Sequence, residues 1–143
     1  MGQVVVTGLG LVTPLGHGTD QFWEALLRGD SGFSDVSSFD TSKYRVHRGA
    51  EIKSLGEVAG VLSEEETASM GRTAQFALVA ARLGLKDAGL DALVSDRAGV
   101  VMGTTSGEPD EIERFNNLDL GGGLDQVGDQ FTRRYPCNHI PGQ

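Results

Sequence analysis

Val4-Val5-Val6-Thr7-Gly8-Leu9-Gly10-Leu11-Val12-Thr13-Pro14-Leu15-Gly16 decides how the rest of the sequence is read. Three consecutive β-branched residues favour extended backbone, and a strand covered on both faces shows such an unbroken apolar run. Gly8 and Gly10 end the run, so the pattern predicts a strand at Val4–Val6, in the interior of a sheet. Pro14 lacks a backbone donor and pushes Thr13 toward extended geometry, which makes 11–16 irregular. Next comes an amphipathic helix. Thr19 offers an N-cap, Asp20 complements the first-turn dipole, and Phe22, Trp23, Leu26 and Leu27 form an apolar face before Gly29.

From Asp30 to Glu57 the periodicity is weak, and only Tyr44 to His47 resembles a short strand. Ser63-Glu64-Glu65-Glu66 has the form of a capping box and starts a helix near residue 64. After Gly71 a second helix carries Phe76, Val79, Ala80 and Leu83 on one face, alanines that allow close packing, and Gly89 as its stop. Ala98-Gly99-Val100-Val101-Met102-Gly103 reads as the next strand, apolar throughout. Strand, helices and strand in that order imply an α/β sheet covered by helices. Thr104-Thr105-Ser106-Gly107-Glu108 is then a polar turn, Pro109 suits a first helical position, and Leu120 to Asp129 reads as a flexible loop.

Composition narrows the function classes. The 143 residues carry a formal net charge of −8, and 20 Asp+Glu against 12 Lys+Arg leave no basic footprint for nucleic acid. A single cysteine forms no internal disulfide, which fits a reducing, cytoplasmic location. No stretch approaches the roughly 18 apolar residues of a membrane span, so neither membrane nor nucleic acid is expected as a partner.

Four motifs have a chemical and a plain structural reading. Gly8-Leu9-Gly10 after a strand invites dinucleotide binding, but the third glycine position is Thr13 and the helix is delayed to about residue 20, which favours glycines that simply make a tight turn. Gly103 to Gly107 has no following Lys, so it is not a Walker-type loop. Cys137 and His139 pair a nucleophile with a base, yet their i, i+2 spacing separates the side chains on strand or helix alike. Neither they nor His17 and His47 complete a metal set, and no cofactor is implied. The acids Glu108, Asp110, Glu111 and Glu113 read as a solvated helix start.

The block Val4 to Gly16, followed by Phe22-Trp23-Glu24-Ala25-Leu26-Leu27-Arg28-Gly29-Asp30-Ser31-Gly32, closely resembles the opening of elongating β-ketoacyl-acyl-carrier-protein synthases of the thiolase fold. Phe39-Asp40-Thr41-Ser42, Leu85-Lys86-Asp87-Ala88-Gly89-Leu90 and Arg97 to Thr104 follow in register. The resemblance implies a thiolase-like α/β fold, with 1–143 as the leading part of its N-terminal half. It also implies a decarboxylating Claisen condensation. An acyl chain is held on a cysteine thiolate at a helix N-terminus, and two histidines stabilise the enolate formed from a malonyl carrier.

The family's nucleophile lies soon after the region resembling Asn138 to Gln143, and its histidines lie much later. Cys137 falls too early to be that nucleophile, so this chain is expected to be an incomplete ketosynthase domain, inactive alone. The expected partners are an acyl carrier protein and the remainder of a ketosynthase or a second ketosynthase-like subunit, in a homodimer or heterodimer. By itself the chain is expected to be marginally soluble or oligomeric. The acyl-pocket positions carried over are Ser106, where some elongating members place an apolar gate, and Cys137 and Ile140 in a segment, Pro136 to Ile140, that resembles the start of a pocket-lining helix. Polar Thr104, Thr105 and Ser106 at the gate suit a polyketide or polyene intermediate as well as a saturated chain.

Overall fold

The computed structural model describes residues 3–90, 96–121, 123 and 127–135. Two antiparallel pairs and five α-helices appear among them: β1 (Val12–Thr13) with β2 (Gly16–His17), then α1 (Thr19–Arg28), then β3 (Ser34–Asp35) with β4 (Arg48–Gly49). A 3-10 helix (Gly56–Val61) leads to α2 (Glu64–Ser69), α3 (Arg72–Asp87), α4 (Pro109–Leu120) and α5 (Gly128–Arg134). The chain divides into two compact units, Met1–Val61 with Val79–Leu93, and Leu62–Leu78 with Val94–Gln143.

In the first unit the glycines of the opening segment are explained by a close approach rather than a turn. Neither Gly8 nor Gly10 has a positive φ. A Cβ on Gly8 would strike the Gly84 carbonyl of α3, and one on Gly10 would strike the carbonyl of Ala80. Backbone therefore packs on backbone along a seam of Gly8, Gly10, Ala80, Gly84 and Ala88, and the amide of Leu9 donates to Asp87 Oδ2 at 2.9 Å. The helix ends as its sequence signals, with the Gly89 amide bonded to the Lys86 carbonyl and Gly89 at φ +69°.

The opening segment itself differs from expectation. Val4–Val6 pairs with no other strand, and all three valines are exposed. The same holds in the second unit for Ala98–Gly103, where Val100 and Val101 are exposed. A strand exists only through a ladder with a neighbour, and among the described residues no segment supplies one to either run. Tyr44–His47 is not a strand either; the pairing falls just after it, with Arg48 opposite Asp35 and Gly49 opposite Ser34.

α1 begins one residue earlier than its cap signal, with Gly18 at the N-cap and Thr19 already helical, and Gly29 closes it at φ +72°. Of its apolar face, Trp23, Leu26 and Leu27 remain exposed while Ala25 is buried.

The second unit centres on the starts of α3 and α4. Met70 and Ala74 are buried with Ala77 and Leu78 against them, and Leu62 is buried too. The Ser63 hydroxyl accepts from the Glu66 amide while the Glu66 carboxylate accepts from the Ser63 amide, the reciprocal pattern the sequence predicts. Pro109 opens α4, and Gly121 closes it through the Asn117 carbonyl. The expected 120–129 loop is shortened at both ends, because α4 includes Leu120 and α5 starts at Gly128. Phe115, Phe131 and Tyr135 stack α5 on α4, with ring centroids 4.8 and 5.0 Å apart.

Candidate functional site

The turn at 104–107 carries the one expected pocket residue that is described, Ser106, and its side chain is exposed. Cys137 and Ile140 lie outside the described residues, as do His139 and the helix start expected at Pro136 to Ile140. The turn is closed by the Thr104 hydroxyl, which accepts from the Gly107 amide at 3.2 Å, and by Gly107 at φ +61°. A left-handed residue is cheap only for glycine, so Gly107 fixes where the chain reverses into α4.

The acids that follow are not a solvated helix start as a group. Asp110 and Glu113 are exposed, but Glu108 and Glu111 are buried, with Glu108 only 2% exposed. Glu108 stands at the N-cap of α4, yet its carboxylate does not cap α4. It accepts instead from the amides of Thr73 at 3.0 Å and Ala74 at 2.8 Å, two first-turn donors of α3 that have no partner within their own helix. The Thr73 hydroxyl returns a bond to the Gly107 carbonyl at 2.7 Å. A helix N-terminus accommodates a buried carboxylate because its free amides and dipole replace the lost water. Gly71 is part of the same fit, since a Cβ there would collide with the Glu108 carboxylate.

Glu111 is paired on both sides, with Arg114 at 2.8 Å and Arg134 at 3.4 Å. Arg134 also donates to the carbonyls of Ala68 and Ser69, and so caps the C-terminal end of α2. Glu108 thus caps the start of α3 directly, and Glu111, one helical turn later, holds the Arg134 that caps the end of α2. The only sequence sign of this was an excess of acids over what a first turn requires; the partner amides of Glu108 lie more than thirty positions away.

Elsewhere the chemistry-bearing side chains serve the fold. His17 donates from Nε2 to the Ser54 carbonyl at 3.0 Å, and its Nδ1 is buried without a partner. His47 Nδ1 meets the Thr41 hydroxyl at 3.1 Å. A cavity of about 620 Å³ in the first unit is lined by Pro14, Leu15, His17, Phe33, Glu51 and Lys53. Its ionic groups are engaged, Glu51 by Ser37 and Ser38 and Lys53 by the Asp35 carbonyl. Among the described residues no His, Cys, Asp and Glu group has metal-binding geometry, and no helix is long and apolar enough to cross a membrane.

Known proteins give this geometry its setting. The sequence profile of the beta-ketoacyl synthase N-terminal domain matches residues 1–140. The 3-oxoacyl-[acyl-carrier-protein] synthase 2 of Staphylococcus aureus strain COL is 36% identical over 123 residues, covering 83% of this chain and 30% of that protein. The oxytetracycline polyketide putative beta-ketoacyl synthase 1 of Streptomyces rimosus is 39% identical over 113 residues, covering 78% of this chain and 26% of its own length. Among solved structures, the ishigamide ketosynthase/chain length factor superposes with a TM-score of 0.79 at 27% identity, over 95% of this chain and 34% of that one. A beta-ketoacyl synthase from Burkholderia phymatum STM815 gives 0.75 at 26%, over 99% and 36%. This chain spans about a third or less of the relatives it matches. From the opening Val-Thr-Gly-Leu-Gly block to the turn before α4, its fold is that of the leading part of a thiolase-like ketosynthase, and the chain belongs to the β-ketoacyl synthase family through its N-terminal domain.

Proposed function

We propose that residues 1–143 form the N-terminal part of a 3-oxoacyl-acyl-carrier-protein synthase, acting in fatty-acid or polyketide synthesis in the cytoplasm. The observation that carries this is the profile match over residues 1–140, supported by fatty-acid-type and polyketide-type relatives alike. In the reaction, an acyl group sits as a thioester on a cysteine, and loss of carbon dioxide from a malonyl carrier generates an enolate. The enolate carbon attacks the thioester carbonyl, a carbon–carbon bond forms, and the cysteine thiolate leaves. The nucleophile and the two histidine donors come from residues other than those of this sequence. What this chain contributes is acyl-pocket residues: Ser106 in the turn before α4, and Cys137 and Ile140, which the family resemblance assigns to the same pocket. The enzyme works as a dimer and takes both substrates from an acyl carrier protein.

The test is reconstitution with acyl and malonyl carrier thioesters, reading carbon dioxide release and the lengthened 3-oxoacyl product by mass spectrometry. The polypeptide or subunit pair that contains this sequence together with the nucleophile is expected to yield both, and the 143-residue chain alone to yield neither. Condensation by the 143-residue chain alone would overturn the assignment of the nucleophile.

A second reading, a non-catalytic ketosynthase-like subunit that shapes a partner's pocket, is favoured by the likeness to a structure named as a ketosynthase/chain length factor. It predicts co-purification with a separate, complete ketosynthase and a change in that enzyme's product length when this chain is left out.

A further inference from the structure

We propose that Glu108 is a positioning residue for acyl selection, holding the 104–107 turn, and with it Ser106, in one place. The inference rests on the reading of Ser106 as an acyl-pocket residue and goes beyond it by naming what fixes that residue. A short turn of Thr, Ser and Gly with Thr104, Thr105 and Ser106 exposed would ordinarily sample several conformations. This one is fastened immediately after Ser106. Gly107 gives its carbonyl to the Thr73 hydroxyl and its amide to Thr104, and the Glu108 carboxylate is buried across the Thr73 and Ala74 amides. The glycines at 71 and 107 are both required by this arrangement, one by space and the other by its φ of +61°. The fastening is charge-assisted, and the carboxylate cannot leave without stranding two helix-end donors. Ser106 is therefore set by the start of α3, and a pocket wall fixed in this way selects chains by length rather than adapting to them.

The experiment uses the complete condensing enzyme that contains this sequence. Glu108→Gln keeps the shape but turns one of the two acceptors into a donor facing an amide. Hydrogen exchange at Thr73, Ala74 and Gly107 is expected to accelerate about tenfold or more. The ratio of kcat/KM between a longer and a shorter acyl thioester is expected to shift severalfold, in the same sense as in Ser106→Ala. Equal losses for both acyl chains, with the ratio unchanged, would show that Glu108 only stabilises the fold, and the proposal would fall.

Ser106→Phe separates the two levels. If it leaves the ratio unchanged, the reading of Ser106 itself is wrong. If it shifts the ratio while Glu108→Gln does not, Ser106 faces the pocket and Glu108 does not position it. Should Glu108→Gln fold too poorly to assay, Thr73→Val removes the hydroxyl bond to Gly107 and leaves the carboxylate in place. The same shift in ratio is expected, and its absence counts against the proposal.

Discussion

The two compact units solve one packing problem with opposite materials. In the first, the opening segment lies on α3 through atoms that are almost all backbone, because Gly8, Gly10 and Gly84 have no side chains to hold the surfaces apart. In the second, the start of α4 is joined to α2 and α3 through long side chains, with buried Glu108 on the α3 amides and Glu111 on Arg134. The glycine seam tolerates no addition, whereas the carboxylate joints tolerate no deletion. Substitutions should therefore fail in opposite directions, by collision in one unit and by unpaired polar groups in the other.

The largest effect is expected at the seam. Gly10→Val places a branched side chain where the Ala80 carbonyl already sits, and neither the helix nor the segment has room to yield. The expected loss is about 3 kcal/mol or more, read as a fall in the urea midpoint or as failure to accumulate folded protein. A Gly10→Val variant within a few tenths of a kcal/mol of the parent would mean that the seam is not a packed contact. Gly29→Ala is the internal control. Nothing lies within 4 Å of a Cβ there, so only the cost of its left-handed conformation at φ +72° is expected, about 1 kcal/mol.

At the carboxylate joints the effects are smaller and graded by what remains after truncation. Glu108→Ala strands two amides at the start of α3, for an expected loss of about 2 kcal/mol, and Glu108→Gln should cost about half of that. Arg134→Met removes the cap on α2 but leaves Glu111 its nearer partner Arg114, so about 1 kcal/mol is expected. The thermal midpoint should fall furthest for Glu108→Ala, and by smaller, similar amounts for Glu108→Gln and Arg134→Met. A larger loss for Arg134→Met than for Glu108→Ala would reverse the ranking of the two joints.

The comparison also separates what the sequence makes legible from what it hides. Helix ends are written within a few residues of the groups they satisfy, so Ser63 with Glu66, Gly29, Gly89 and Pro109 were readable where they stand. The family's fold was legible too, because the Val4–Gly16 block and its successors match in order. Strand pairing was not. Val4–Val6 and Ala98–Gly103 have the composition of buried strands, but composition selects an extended backbone and only a neighbour makes it a strand. Glu108 was misjudged for a related reason. On its own helix it looks like an ordinary acid near a positive dipole end, and the amides it serves belong to a helix that begins 36 positions earlier. Of the candidate pocket, Ser106 could be placed by its turn, and Cys137 and Ile140 fall outside the described residues.

The smallest expected effect tests whether a carboxylate joint also works without burial, in the unit otherwise built on backbone contact. Glu51 accepts from the Ser38 hydroxyl at 2.5 Å and from the Ser37 amide at 2.8 Å, with further bonds from the Ser38 amide and the Ser37 hydroxyl. These bonds favour the ionised form and hold its pKa at about 2, below the ordinary 4.5. Because the folded value is the lower one, the stabilisation is complete above pH 4.5 and is lost as pH falls through about 2. The Ser37 and Ser38 amide resonances should hold their positions down to about pH 3 and then move with a midpoint near 2. In Glu51→Gln that titration should vanish, and both amides should exchange faster while α1 and α3 are unaffected. A midpoint near 4.5 would mean that Glu51 is simply solvated, and that only the buried carboxylates of the other unit act as joints.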